Sequence, residues 1–157
     1  MIYAKNTNVS VEKSEGEIKA LLIRYGANSF ASAWQNNKAL IRFQAQNRMI
    51  QFILPLPDPK EDRFIYRVWG KKIDKENLRS EVDAHKEWEQ ACRQRWRALA
   101  LAIKAKLEAV ESEITTFEEE FYSHIVMPGG KTLYEMTGKQ VGLAYETRKT
   151  PQLLDYK

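Results

Sequence analysis

One cysteine, two histidines and no long apolar run exclude several classes of protein for this 157-residue chain. Cys92 has no second cysteine with which to form an internal disulfide, which suits a reducing compartment. It lies in a stretch expected to form a buried helix, and His85 and His124 are the only imidazoles available as its base. Packing is therefore the favoured reading of its thiol. The opening stretch "MIYAKNTNVSVEKSEGE" holds no apolar signal core, and no segment reaches membrane-spanning length. A soluble, cytoplasmic protein with no membrane partner is expected.

The material for catalysis is equally thin. "MPGGKT" resembles the end of a phosphate loop, but such a loop needs a glycine five positions before its Gly-Lys-Thr, and that position holds Ile125. The remaining Gly129, Gly130, Lys131 and Thr132 read as a turn leading into a helix. Glu120 and His124 share a helical face, yet a metal site would want a second histidine or aspartate at helical spacing. There is no nucleophile paired with a base and no dinucleotide fingerprint. The chain is expected to be non-enzymatic, with no catalytic residues, metal or cofactor.

What is present is a good supply of apolar residues, 43%, and of charge, 29%, with 25 Lys and Arg against 21 Asp and Glu. That length and apolar content suit one domain, in which residues 1–57 form a sheet and first helix, 58–75 a basic aromatic connection and 76–157 a helical part. The modest basic excess permits a polyanion partner without requiring one.

Periodicity predicts an α+β fold of order β-α-β-β-β followed by helices. Val9 and Val11 alternate as a short edge strand would, and Ser14 with Glu17 forms a capping box for a helix carrying Ile18, Leu21, Leu22 and Tyr25. Gly26 supplies the left-handed residue that ends it. "SFASAW", "ALIRFQAQ" and "MIQFILPLP" then read as three antiparallel strands, turning at Asn36-Asn37 and near Asn47. Ala39, Ile41, Phe43, Ala45, Ile50, Phe52 and Leu54 would line their buried face. A long helix is predicted from about residue 75 to 112, with a break near 83–86. Leu78, Val82, His85, Cys92, Trp96, Leu99, Ile103, Leu107, Val110 and Ile114 form its apolar stripe. His85 on that stripe reads as a satisfied core histidine. Ala98, Ala102, Ala105 and Ala109 form a small-residue surface on the opposite side that would admit a second copy as a homodimer. Capping boxes at Thr116–Glu119 and Thr132–Glu135 start two further helices, and Thr150-Pro151 ends the last. The order helix, three strands, helix is shared with double-stranded-RNA-binding domains, an analogy of topology that assigns no function.

Two basic constellations bear on function. Six Lys and Arg between residues 86 and 106 flank the long helix's stripe, where they would either meet phosphates or snorkel around a core. Between residues 58 and 75, Phe64, Tyr66 and Trp69 interleave with Arg63, Arg67, Lys71, Lys72 and Lys75, a pattern suited to single-stranded nucleic acid: rings stack on bases while cations hold the backbone. The expected nucleic-acid surface is thus Arg63, Arg67, Trp69, Lys71 and Lys72, helped by Arg93, Arg97 and Lys104, with single-stranded DNA as partner. A separate run of six glutamates between residues 107 and 124, with no Lys or Arg, supports a different reading. It would mimic a phosphate track and bind a host defence protein, or the chain would sequester a signalling nucleotide.

"RYGANSF" (24–30), "FILPLPD" (52–58), "WEQACRQRWRALALAIKAKLEAVESEITTFEEEF" (88–121) and "HIVMPGGKT" (124–132) together resemble an uncharacterised family of small proteins encoded by bacteriophages and prophages. The resemblance covers most of the chain and is loosest around residues 60–85. It implies a viral origin, a bacterial host cytoplasm and an early gene region near replication and recombination functions. It implies no activity and no catalytic residues, and fits DNA metabolism and antagonism of host defence equally.

Overall fold

A computed structural model describes residues 4–150 and residue 152. Its architecture is α+β: an N-terminal helix, a three-stranded antiparallel sheet, a two-stranded hairpin, a long helix and a helical C-terminal part. Helix α1 spans Val11–Arg24 and is capped by Ser10, whose hydroxyl accepts from the Lys13 amide at 3.2 Å. The box expected at Ser14 and Glu17 does not form, the cap falling one turn earlier on Ser10 alone, and the strand expected at Val9 and Val11 does not form either. Starting at Ser10 brings Val11 onto the apolar face with Leu21 and Tyr25, packed against the buried Ile18 and Leu22. Ser14 lies fully buried inside the helix, and its hydroxyl has no hydrogen-bond partner among the described residues. Gly26, at φ +87°, ends α1 as expected, and the Ala27 amide reaches back to the Leu22 carbonyl at 2.9 Å.

Strands β1 (Ser29–Gln35), β2 (Lys38–Ala45) and β3 (Arg48–Pro55) follow in sheet order β1-β2-β3. Their tight turns use Asn36 at φ +53° and the pair Gln46 and Asn47 at +48° and +59°. Period-two alternation buries Ala39, Ile41, Phe43 and Ala45 of β2, and β3 adds Ile50 and Phe52 to the same face. That face meets Ile18 and Leu22 of α1 together with Trp96, Ala100, Ile103 and Leu107 of α3 (Glu81–Glu111), forming one core. Phe121, fully buried, closes it edge-on to Phe43 at 5.9 Å and to Phe52 at 6.2 Å.

Residues 75–78, expected to open the long helix, belong to a strand instead. After a single helical turn, α2 (Asp62–Ile65), the chain forms a hairpin of β4 (Tyr66–Trp69) and β5 (Lys72–Leu78), reversing at Gly70 with φ +63°. Pairing of Tyr66 with Leu78 holds the second strand, and the Arg79 guanidinium bonds the carbonyls of Arg63, at 2.9 Å, and Tyr66. Helix α3 therefore starts after Ser80, which caps the Asp83 amide at 3.1 Å, and runs its 31 residues without the expected break. Leu78 and Val82, expected on the buried stripe, are 67% and 63% exposed. His85 is exposed too; its Nε2 meets the Glu89 carboxylate at 3.3 Å. Ile114, also expected on the stripe, lies exposed beyond the helix end at Ser112.

Both later capping boxes form as expected. Thr116 with Glu119 starts α4 (Phe117–Phe121), and Thr132 with Glu135 starts α5 (Leu133–Thr147). Pro151, expected to end α5, lies outside the described residues. Among the described residues no helix is long and apolar enough to cross a membrane.

Candidate nucleic-acid interface

The hairpin presents the aromatic and basic residues of the connection differently from a loop. Register pairs Trp69 with Lys72 and Arg67 with Asp74, and alternation puts these four side chains on one face of the ribbon. Half-buried Val68 and Ile73 take the other face. Gly70 and Lys71 form the tip. Trp69 is 68% exposed. Arg67, Lys71 and Lys72 are exposed as well, and none joins an ion pair among the described residues.

A cleft of about 290 Å³ separates this ribbon from the start of α3. Arg67, Val68 and Trp69 line one wall, and Asp83, Lys86 and Glu87 the other, with Arg79 at the base of the hairpin. Lys86 is a contributor that the sequence placed only on the long helix's flank. Its nearness to Trp69 depends on the hairpin folding back, and no local pattern signals that.

The other expected residues are not brought to this cleft. Arg63 sits on α2, paired with Glu61 at 2.6 Å and stacked over Phe64 at 4.5 Å. Arg93 is held by Gln90 at 2.7 Å and Arg97 by Glu17 of α1. Lys106 bonds both the carboxylate and the backbone carbonyl of Glu120, each at 3.0 Å. Pairing within the chain thus accounts for much of the basic flank of α3. Lys104 faces solvent in a separate groove between α1 and α3, beside Arg24, Leu101 and the Arg97–Glu17 pair.

Four of the six glutamates in the acidic run are also engaged within the chain. Glu108 accepts from the Tyr25 hydroxyl at 3.2 Å, Glu118 pairs with Arg48 at 2.6 Å, and Glu119 belongs to its helix cap. Glu120 is occupied by Lys106, and His124 stacks on Phe52 at 4.0 Å. Burial, and then the Lys106 charge, hold the His124 imidazole below its ordinary pKa. No group of three or more His, Cys, Asp or Glu among the described residues is placed to hold a metal. Cys92 is 7% exposed, and burial followed by the Glu89 charge pushes its thiol up to about 11, leaving it protonated at neutral pH. "MPGGK" is a turn, with Gly130 at φ +82° bonding back to the Met127 carbonyl at 2.8 Å. At the start of α5 the Thr132 and Glu135 amides are taken by the Thr132–Glu135 cap, and the Leu133 amide by the Ile125 carbonyl.

No family model, curated protein or solved structure matches the chain.

Proposed function

We propose that the protein is a non-enzymatic binder of single-stranded nucleic acid, DNA above all, whose contact surface is the tip of the β4–β5 hairpin and the facing turn of α3. The observation that carries this reading is an exposed Trp69 among Arg67, Lys71, Lys72 and Lys86, cations that no carboxylate of the described residues occupies. An indole face stacks on an unpaired base whatever its identity, while the cations hold successive phosphates. A duplex keeps its base faces covered, so single strands are preferred. Four neutralised phosphates on a single strand correspond to a slope of about −3 in log affinity against log salt. The setting implied by the phage resemblance is replication or recombination in a bacterial cytoplasm. Glu108, Glu118, Glu119 and Glu120 are engaged inside the chain, which favours this reading over mimicry of a phosphate track.

The test is fluorescence anisotropy of labelled single-stranded and duplex DNA of one sequence, titrated with the protein at two salt concentrations. Tighter single-strand binding that weakens steeply with salt is expected. Absence of binding at low salt would overturn the proposal.

A further inference from the structure

The two edges of the three-stranded sheet are treated differently. Beyond β3 the chain covers its own edge: Ile125 bridges Ile50, and the Val126 amide bonds the Met49 carbonyl at 2.7 Å. On the other side β1 has β2 as its only neighbour among the described residues, and every residue of the strand except Phe30 is exposed. Exposed edges in monomeric proteins usually carry a charge, a proline or a bulge that blocks pairing with another strand. "SFASAWQ" has neither charge nor proline, and its register with β2 runs unbroken from Ser29 to Gln35.

The hydrogen-bonding directions follow from the turn. In a hairpin with a two-residue loop, the closing pair, here Gln35 and Lys38, turns its backbone groups toward each other. By alternation Ser29, Ala31 and Ala33 also bond to β2. Phe30, Ser32 and Trp34 therefore aim their N–H and C=O groups away from the sheet. The strand is also close to a palindrome in residue type about Ser32: aromatic, alanine, serine, alanine, aromatic.

We propose that β1 is a dimer interface, pairing antiparallel with β1 of a second copy about a two-fold axis through Ser32. That register sets Phe30 opposite the second copy's Trp34, Ser32 opposite its own twin and Ala31 opposite Ala33. Each contact is repeated by symmetry, as an isologous interface requires. The outward-facing backbone groups bond one another, joining two sheets into one. Trp34, 78% exposed in the single chain, gains an aromatic neighbour on the face it shares with Phe30. The alanines meet at the positions where paired strands approach most closely, and their small side chains fit there. A neutral strand meets its twin without like charges in register. The carboxylate of Glu15, hydrogen-bonded by the Ser32 hydroxyl, is the one charge bonded to β1 by a side-chain contact among the described residues. Its repulsion from its twin is screened by salt. Self-association therefore holds or strengthens as salt is added, opposite to the behaviour of phosphate binding.

The test is sedimentation velocity on the unlabelled protein, without nucleic acid, from dilute to concentrated solution. Hydrogen exchange is followed at both extremes. The wild type is expected to reach twice the mass of the single chain, with the Phe30, Ser32 and Trp34 amides becoming protected as the dimer forms. Ser32→Pro removes an outward N–H and takes no bond from β2, and Trp34→Lys places a charge opposite Phe30. Both are expected to stay at single-chain mass with an unchanged circular dichroism spectrum. A single-chain mass for the wild type at the highest concentration overturns the proposal. So does a doubled mass that survives both variants but is lost in Ala102→Arg, which would assign the dimer to the alanine face of α3 instead.

Discussion

Replacing Trp69 by alanine separates a binding role from a structural one. Loss of one base–aromatic stack by alanine substitution is worth roughly 1–3 kcal/mol, which is a roughly 5- to 150-fold rise in Kd. The fold should hardly register the change, because only about a third of the residue is covered and part of that is backbone and β-carbon that alanine keeps. A stability loss under about 1 kcal/mol, a shift of about 2–4 °C at most in Tm, is expected. Trp96→Ala is the contrasting control: that indole is 5% exposed in the core, and its removal should cost about 3–5 kcal/mol. The assay is anisotropy of a labelled single strand across a salt series, beside thermal unfolding followed by circular dichroism. Trp69→Ala removes no charge, so the salt slope should stay as in the wild type. Lys71→Ala and Lys72→Ala should each flatten it by about 0.7. An affinity for Trp69→Ala within about twofold of wild type, below the smallest stacking loss, would refute the assignment. A loss of affinity matched by a loss of fold would refute it equally.

Other expectations concern the body of the protein. Phe121→Ala should lower the unfolding free energy by about 3–5 kcal/mol in urea titration, because the ring touches Phe43, Phe52 and Phe117 and is fully buried. Arg97→Ala should cost about 1 kcal/mol through the lost pair with Glu17, and leave affinity for a single strand unchanged because that guanidinium is already engaged. A large affinity loss would return α3 to the contact surface. His124 should make stability pH-dependent. Its folded pKa lies below the ordinary 6.5, so the unfolded chain takes up the proton first. The contribution is complete above that value and is lost as pH falls through it toward the folded pKa. Urea midpoints from pH 8 down to pH 5 should fall less in His124→Phe, which keeps a ring beside Phe52 but has no proton to gain.

Local signals were the legible part of the fold. The Thr116–Glu119 and Thr132–Glu135 boxes form because each links residues three apart, whatever surrounds them. The alternation of β2 is likewise written in its side chains, since one face must meet the core. Ser10 and Ser14 are both competent caps, and the choice between them depends on whether Val11 gains a packing partner, which local sequence does not state. The error at residues 75–78 has the same origin. A helical stripe continues through Leu78 and Val82, but the pairing of Tyr66 with Leu78 and the Arg79 bonds to the α2–β4 carbonyls settle that segment as strand.

The candidate surface divides along the same line. Sequence alone identified an aromatic–basic cluster around Trp69, because composition over a few residues needs no fold to be read. It also determined the α+β class, the three main strands and the long helix. Only the tertiary structure decided which cations are free. Arg97 and Glu17 are separated by 80 positions, and Lys106 and Glu120 by 14, so those charges find each other only once α1, α3 and α4 pack. Lys86 comes beside Trp69 by the same rule: a hairpin folding back onto a helix end sets that distance, and contacts between remote segments are fixed by how the whole chain buries its apolar surface.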